Sequence, residues 1–161
     1  MIVERVDKEE SLQITASAAI FLEDLRGCLL LLQRPDKKWG PPAGRFKSFE
    51  SSVLTMFREL RGETGIETYE VDNLGLLGVY TVAKGQGSTG IGFVFRGQLR
   101  QCRPIVPKDR NEIVSSRFYS REEVKRLIRG DSLSKPEYNQ PALSDWLAGN
   151  NFSLEPLRGI Y

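Results

Sequence analysis

The chain has 161 residues, a length that suits a single domain able to bury its own core. Its 23 Lys and Arg nearly balance 21 Asp and Glu, and a net charge of +2 argues against a general nucleic-acid binder while leaving room for a small anion held by a local basic cluster. Histidine is absent, which excludes Ser-His-Asp and Cys-His nucleophiles, histidine-ligated zinc and imidazole proton shuttles; catalysis must run on carboxylates, Lys, Tyr, Ser, backbone groups or an oxygen-held metal.

Met1–Glu10 is charged and lacks the apolar stretch of a signal peptide, and no apolar run approaches the roughly 20 residues of a membrane span. Cys28 and Cys102 have no metal-ligand spacing, so two free thiols and a cytoplasmic location are expected. Gln13–Phe21 and Cys28–Gln33 read as strands joined by the turn Asp24-Leu25-Arg26-Gly27, forming a hairpin. Arg34–Arg45, rich in Pro and Gly, reads as a loop. From Ser51, Val53, Leu54, Phe57 and Leu60 recur at helical spacing, and Gly65 supplies a stop. Leu74–Val82 and Ile91–Leu99 read as strands separated by a flexible loop, Lys84–Gly90, that could act as a lid. Arg117–Ser120 reads as a short strand, and Ser120 with Glu123 predicts a capping box opening a helix over Arg121–Ile128. Asp131–Asn139 reads as a loop and Gln140–Leu147 as a last helix. With no repeat or linker, residues 1–161 form one domain. The irregular alternation of elements predicts an α/β protein of the α+β type, with a mixed sheet flanked by helices.

The segment that carries chemistry runs from Gly44 to Ile66. A Gly/Pro loop feeds a short helix on which Glu59 and Glu63 lie four residues apart, on one face, with Cβ atoms about 5–6 Å apart. Two like charges at that spacing weaken an isolated helix, unless a cation sits between them. Mg²⁺ and Mn²⁺ prefer such oxygen ligands, and either ion can neutralise a pyrophosphate and activate water. Arg58, Glu59, Arg61 and Glu63 would also suit an ordinary solvated helix face.

The spacing of the whole segment resembles the Nudix signature, Gly-x5-Glu-x7-Arg-Glu-hydrophobic-x-Glu-Glu-x-Gly-hydrophobic. Gly44, Glu50, Arg58, Glu59, Leu60, Glu63, Gly65 and Ile66 match, and Gly62 alone departs. Trp39–Gly44 is similar to the family's approach loop, Ile91–Phe95 to its core strand, and Asn111–Val124 to its acidic loop, aromatic strand and capped helix. The resemblance covers roughly residues 13–147. It implies a mixed β-sheet sandwiched between helices, and a hydrolase that cleaves the pyrophosphate of a nucleoside diphosphate linked to another moiety, using Mg²⁺ or Mn²⁺. Carried over by position, it makes Glu59 and Glu63 metal ligands, with a backbone carbonyl of Ala43 or Gly44 completing the shell. Arg58 becomes the cation orienting a box carboxylate, and Glu50 a supporting partner at the loop–helix junction. Glu112 stands where many members carry a further acid that binds metal or accepts a proton from water.

Where the family has glutamate this chain has Gly62, which supplies no ligand and costs the helix roughly 0.5–1 kcal/mol relative to alanine. Lys47 and Phe49 replace a usual acid and a usual glycine. Two outcomes follow: a hydrolase running on Glu59, Glu63 and Glu112, or a degenerate domain that binds a nucleotide without efficient hydrolysis. Arg34, Arg45 and Lys47 are candidates for substrate phosphates, and Tyr80, Phe93 and Tyr138, with Phe95 and Tyr119, for stacking on a base. ADP-ribose, nucleotide sugars, dinucleoside polyphosphates, oxidised nucleoside triphosphates and a capped RNA end all fit these residues. The residues after Leu147 leave no room for a DNA-binding module; Asn150–Tyr161 is expected to pack on the domain or to contribute to a homodimer.

Overall fold

The structure, a computed structural model, describes residues 13–157 except Gln86 and Asp109. Expectations for the N-terminal ten residues and for residues 158–161 therefore lie outside the described residues. In chain order the elements are β1 (Gln13–Glu23), β2 (Leu29–Gln33), β3 (Trp39–Gly40), β4 (Ala43–Arg45), α1 (Ser52–Thr64), β5 (Val71–Ala83), β6 (Ser88–Leu99), β7 (Ser115–Tyr119), α2 (Arg121–Arg129) and α3 (Pro136–Ala148). Short 3-10 turns sit at Thr68–Glu70 and Glu155–Leu157. No described helix is long and apolar enough to cross a membrane.

One mixed sheet carries the strands in the order β3-β2-β1-β6-β5, with β4 on β1 and β7 on β2. β1 lies parallel to β6 along its whole length, from Gln13 opposite Ser88 to Glu23 opposite Gln98, while β5 runs antiparallel to β6. The continuous apolar runs of β1 and β2 follow from this position, because both faces of the sheet are covered. Ala18, Ile20, Leu22, Leu30 and Leu32 point to one core with Met56, Leu60 and Ile66 of the α1 region. Ala19, Phe21, Leu29 and Leu31 point to a second core with Val124 of α2 and Ala142, Leu143 and Trp146 of α3. The sheet is thus sandwiched between helices, as the sequence predicts.

The helix ends follow local chemistry. Ser51 Oγ accepts from the Leu54 amide at 3.3 Å, and Gly65 closes α1 at φ +76°, donating to the Arg61 carbonyl. The capping box of α2 forms in both directions: Ser120 Oγ accepts from the Glu123 amide, and Glu123 accepts from the Ser120 amide at 2.8 Å.

Four elements differ from expectation: β6 starts at Ser88 rather than Ile91, which shortens the expected loop Lys84–Gly90, and three more follow. Arg34–Arg45 is not simply a loop, since β3 and β4 lie within it. β4 pairs with β1 (Ala19 with Ala43, Ser17 with Arg45), an edge partner supplied from far away in sequence that Gly- and Pro-rich composition conceals. α3 begins at Pro136, four residues before the expected start, so half of Asp131–Asn139 is helical. Proline suits the first helical position, and burial of Asn139, Ala142, Leu143 and Trp146 carries the helix through Pro141. β5 starts at Val71 rather than Leu74, its first residue buried against the α1-side core. Downstream, the segment 150–157 packs on the domain: Phe152 bridges to Leu76, and Leu154 and Leu157 join the same core.

Phe49 is fully exposed and sits at φ +66° on the approach to α1. A bulky side chain in that region is strained by roughly 1–2 kcal/mol. Phe49→Gly should therefore raise the unfolding free energy by about 1 kcal/mol, read from urea denaturation midpoints at constant slope; an unchanged or lower midpoint contradicts this.

Candidate active site

The carboxylates of α1 meet the short strand β4. Glu63 is only 3% exposed, and its two oxygens are divided between Arg34 Nη2, at 3.1 Å, and the Ala43 amide, at 3.1 Å. Burial outweighs these two stabilising contacts and pushes its carboxyl up to about 7. Glu59, one turn earlier, lies against the backbone of Gly44. A Cβ at Gly44 would stand 2.1 Å from Glu59 Oε1, so only glycine lets the carboxylate approach the main chain there.

Arg58 organises this corner. Its Nε and Nη2 donate to both oxygens of Glu50, at 2.5 and 2.9 Å; Nη2 also reaches the Arg45 carbonyl at 2.8 Å, and Nη1 donates to Glu59 Oε1. Glu50 further accepts from Thr55 Oγ1 at 2.8 Å and the Lys47 amide at 3.0 Å. The Arg58 guanidinium, first, then the two lesser donors hold the Glu50 carboxyl down to about 2. The loop is in this way tied to the helix that follows it.

Beside β4 opens a pocket lined by Ser17, Ala19, Arg34, Ala43, Gly44, Phe93, Ser134, Lys135, Tyr138 and Asn139, among others. Its floor is sheet and its wall is the start of α3. Tyr138 crosses the sheet where Gly90 and Gly92 lack side chains.

A sequence model of the NUDIX domain matches residues 12–139. The chain belongs to the Nudix family. Among solved structures it is similar to a NUDIX hydrolase from Nitrosomonas europaea, at 24% identity and TM-score 0.74, covering 92% of this chain and 98% of the other. A MutT protein from Methanosarcina mazei Go1 gives 19% identity and TM-score 0.68, covering 87% and 97%. An Ap4A hydrolase from C. elegans gives 17% and 0.58, covering 83% and 99%. At these identities the likeness is one of fold. No curated protein matches the chain.

Within the Nudix box the fold brings together Ala43, Gly44, Glu50, Arg58, Glu59 and Glu63, and adds Arg34. Arg45 contributes its carbonyl, and Lys47 its amide, its side chain being exposed. Phe93 and Tyr138 line the pocket. Tyr80 does not; its hydroxyl donates to Asp145 at 2.6 Å and ties β5 to α3. Phe95 and Tyr119 are buried in the two cores. Glu112 is exposed and is not joined to the Glu59–Glu63 group. Gly62 is exposed on the outer side of α1, and a Cβ there would meet open space. Sequence reasoning missed Ser17, Ser134, Lys135 and Asn139; the one available signal, Lys135-Pro136 as a helix start, was masked by placing that segment in a loop.

Glu59 and Glu63 both reach the backbone of β4, where Glu63 meets the Ala43 amide, and carboxylate oxygens are the donors that Mg²⁺ and Mn²⁺ prefer. Among the described residues no group of three or more acidic or thiol side chains is placed to hold a metal. Substrate phosphates would therefore complete the shell, as is usual for Mg²⁺.

Because the Glu50 carboxyl is lowered on folding, the stability it contributes is fully present above its ordinary value of 4.5 and is lost as pH falls towards 2. Glu50→Gln should thus flatten the acid limb of the stability profile: the gap between wild type and variant in thermal midpoint narrows from pH 6 to pH 3. A constant gap would show that Glu50 keeps its ordinary ionisation.

Proposed function

We propose that this Nudix protein is a divalent-metal-dependent hydrolase that cleaves the pyrophosphate linkage of a nucleoside diphosphate joined to another moiety. The observation that supports it is that Glu59 and Glu63 of α1 both reach the backbone of β4, at Gly44 and Ala43, two residues that line the pocket. In this reading Glu59, Glu63 and the carbonyl of Ala43 or Gly44 hold Mg²⁺ or Mn²⁺, which supplies charge neutralisation for the pyrophosphate and an activated water. Arg58 fixes Glu59 by its Oε1, leaving Oε2 turned free of that contact, and is itself fixed by Glu50. Arg34 orients Glu63 from the pocket side and is placed to meet a phosphate once the carboxylate turns to its ligand. Glu112 is proposed as a helper carboxylate that acts from outside this group, with a smaller contribution than either helix glutamate. The nucleoside would enter between Phe93 and Tyr138. About 50 Å³ is enclosed there, and Tyr138 packs directly on Gly90 and Gly92 at its side.

Gly62 favours a second reading, a domain that binds a nucleotide without efficient turnover, since the box has lost one carboxylate and arginines engage both that remain.

A screen of nucleoside diphosphate derivatives with Mg²⁺ or Mn²⁺, in which an added phosphatase frees phosphate from the phosphomonoester products but not from the intact substrate, separates the two. Turnover supports the hydrolase; calorimetric binding with no cleavage supports the second reading. In the hydrolase, Glu50→Gln should lower turnover by roughly 10–100-fold as an outer partner, and Glu63→Gln by more than that in protein whose circular dichroism is unchanged. Full activity in Glu63→Gln removes the mechanism.

Gly62→Glu has open space for its side chain but faces outwards, so it should leave Mn²⁺ binding no tighter than in wild type. Gly62→Gln serves as its control, since both gain the same helix stability of roughly 0.5–1 kcal/mol. Equal metal affinity in the two variants would show that the position no longer serves the metal.

A further inference from the structure

β5 ends the sheet, and part of its outer edge is bare. Phe152 holds that edge at Leu76 through two backbone hydrogen bonds, at 2.9 and 2.7 Å. At the other end the chain turns back at Gly85 and Gly87, both with positive φ, and Lys84 donates to the Ser88 carbonyl. Between these limits the antiparallel ladder alternates, so the Lys84–Ser88 contact assigns Val82 and Tyr80 to β6, opposite Gly90 and Gly92. The amides and carbonyls of Val79, Thr81 and Ala83 therefore point away from the sheet, and among the described residues no backbone hydrogen bond joins them to anything beyond it. Their side chains lie on the α1 side, opposite Phe93, Ile91 and Thr89, and are exposed. Ile14, which neighbours Thr89 from β1, is exposed on the same face.

Sheet edges that must stay single are commonly guarded by a lysine, a proline, an inward charge or a bulge. The bulges of β5 lie at Asp72/Gly75 and Leu76/Gly78, before the bare segment, and no residue from Leu74 to Ala83 is charged or a proline. The bare edge also matches itself. It runs from Gly78 to Lys84, and its midpoint is Thr81. A two-fold axis through that midpoint sets Thr81 against the partner's Thr81, Val79 against the partner's Ala83 and Lys84 against the partner's Gly78. Outward-pointing residues then meet outward-pointing residues, as a ladder requires. Hydroxyl faces hydroxyl, apolar side chains face each other, and no like charges come opposite one another. A register slipped far from this one drives the turn at Gly85 into the segment that Phe152 lays along Leu76. So short an edge buries less than the roughly 1,200–2,000 Å² of a stable interface, which makes the pairing weak and dependent on concentration.

We propose that two copies of this chain associate through β5, antiparallel about Thr81, and join their sheets into one in a weak dimer.

Sedimentation velocity of the whole protein, from about 1 μM to 1 mM, tests it. The mean mass should rise from that of one chain towards that of two and level off there. Thr81→Lys and Thr81→Glu each set a charge opposite its own copy. Each alone should remain a monomer throughout, with circular dichroism unchanged because the position is exposed. An equimolar mixture of the two should dimerise at least as readily as wild type, because lysine then faces glutamate. Arg129→Glu, a charge change on exposed α2, should associate as wild type does. The proposal is overturned if wild type stays monomeric at the highest concentration, or if Thr81→Lys dimerises normally, which places the contact elsewhere. A mass that climbs past two chains, or a mixture that stays monomeric, overturns the two-fold pairing as well.

Discussion

Arg58 makes the contact on which the site depends. One guanidinium binds both oxygens of Glu50, the carbonyl of Arg45 and an oxygen of Glu59. It therefore joins the loop before α1, the strand β4 and the helix face that carries the acids. A guanidinium can do this because its donors lie in one rigid plane. Without it, β4 would keep only β1 and the hydrogen bond from the Ala43 amide to Glu63, and Glu59 would have no reason to lie against Gly44 instead of turning to water. The matching of Glu50 to Arg58 is also why this carboxyl is held so far below its ordinary range.

The two helix glutamates are treated in opposite ways by the fold. Glu59 keeps an oxygen outside its arginine contact and touches a bare backbone. Glu63 is sealed beneath Arg34 and the Ala43 amide, where loss of water raises its carboxyl towards neutrality. Burying a carboxylate is costly unless strong partners replace water, and Arg34 and the Ala43 amide are the partners that Glu63 has. Gly62 falls on neither side of this arrangement. It faces outwards, so losing its carboxylate removes charge without disturbing the Arg58 corner.

The cations at the pocket come from three separate places: Arg34 after β2, Lys84 in the loop after β5 and Lys135 at the start of α3. Each residue taken singly is an ordinary surface cation in a chain of nearly balanced charge. Only the parallel pairing of β1 with β6, and the seating of α3 across the glycines of β6, bring them to one opening.

Much of this was written in short-range pattern. The box spacing pointed to the family, the Ser120–Glu123 pair specified a helix start, and the irregular alternation of strands and helices pointed to a mixed sheet flanked by helices. These are legible because they depend on residues a few positions apart, where helical and strand periods place side chains without help from the rest of the chain. β3, β4 and the first turn of α3 were not legible, since their hydrogen bonds and burial come from partners distant in sequence that override Pro and Gly. The same holds for the site. Glu59, Glu63, Arg58 and Glu50 could be named from spacing, whereas the placing of Lys135 beside Arg34 and of Tyr80 against Asp145 was decided by tertiary packing. The sequence by itself determined the scaffold and the acids that share one face of a single helix; the tertiary structure alone decided that Arg34 meets Glu63, because a residue just after β2 becomes the neighbour of α1 only when the sheet has closed.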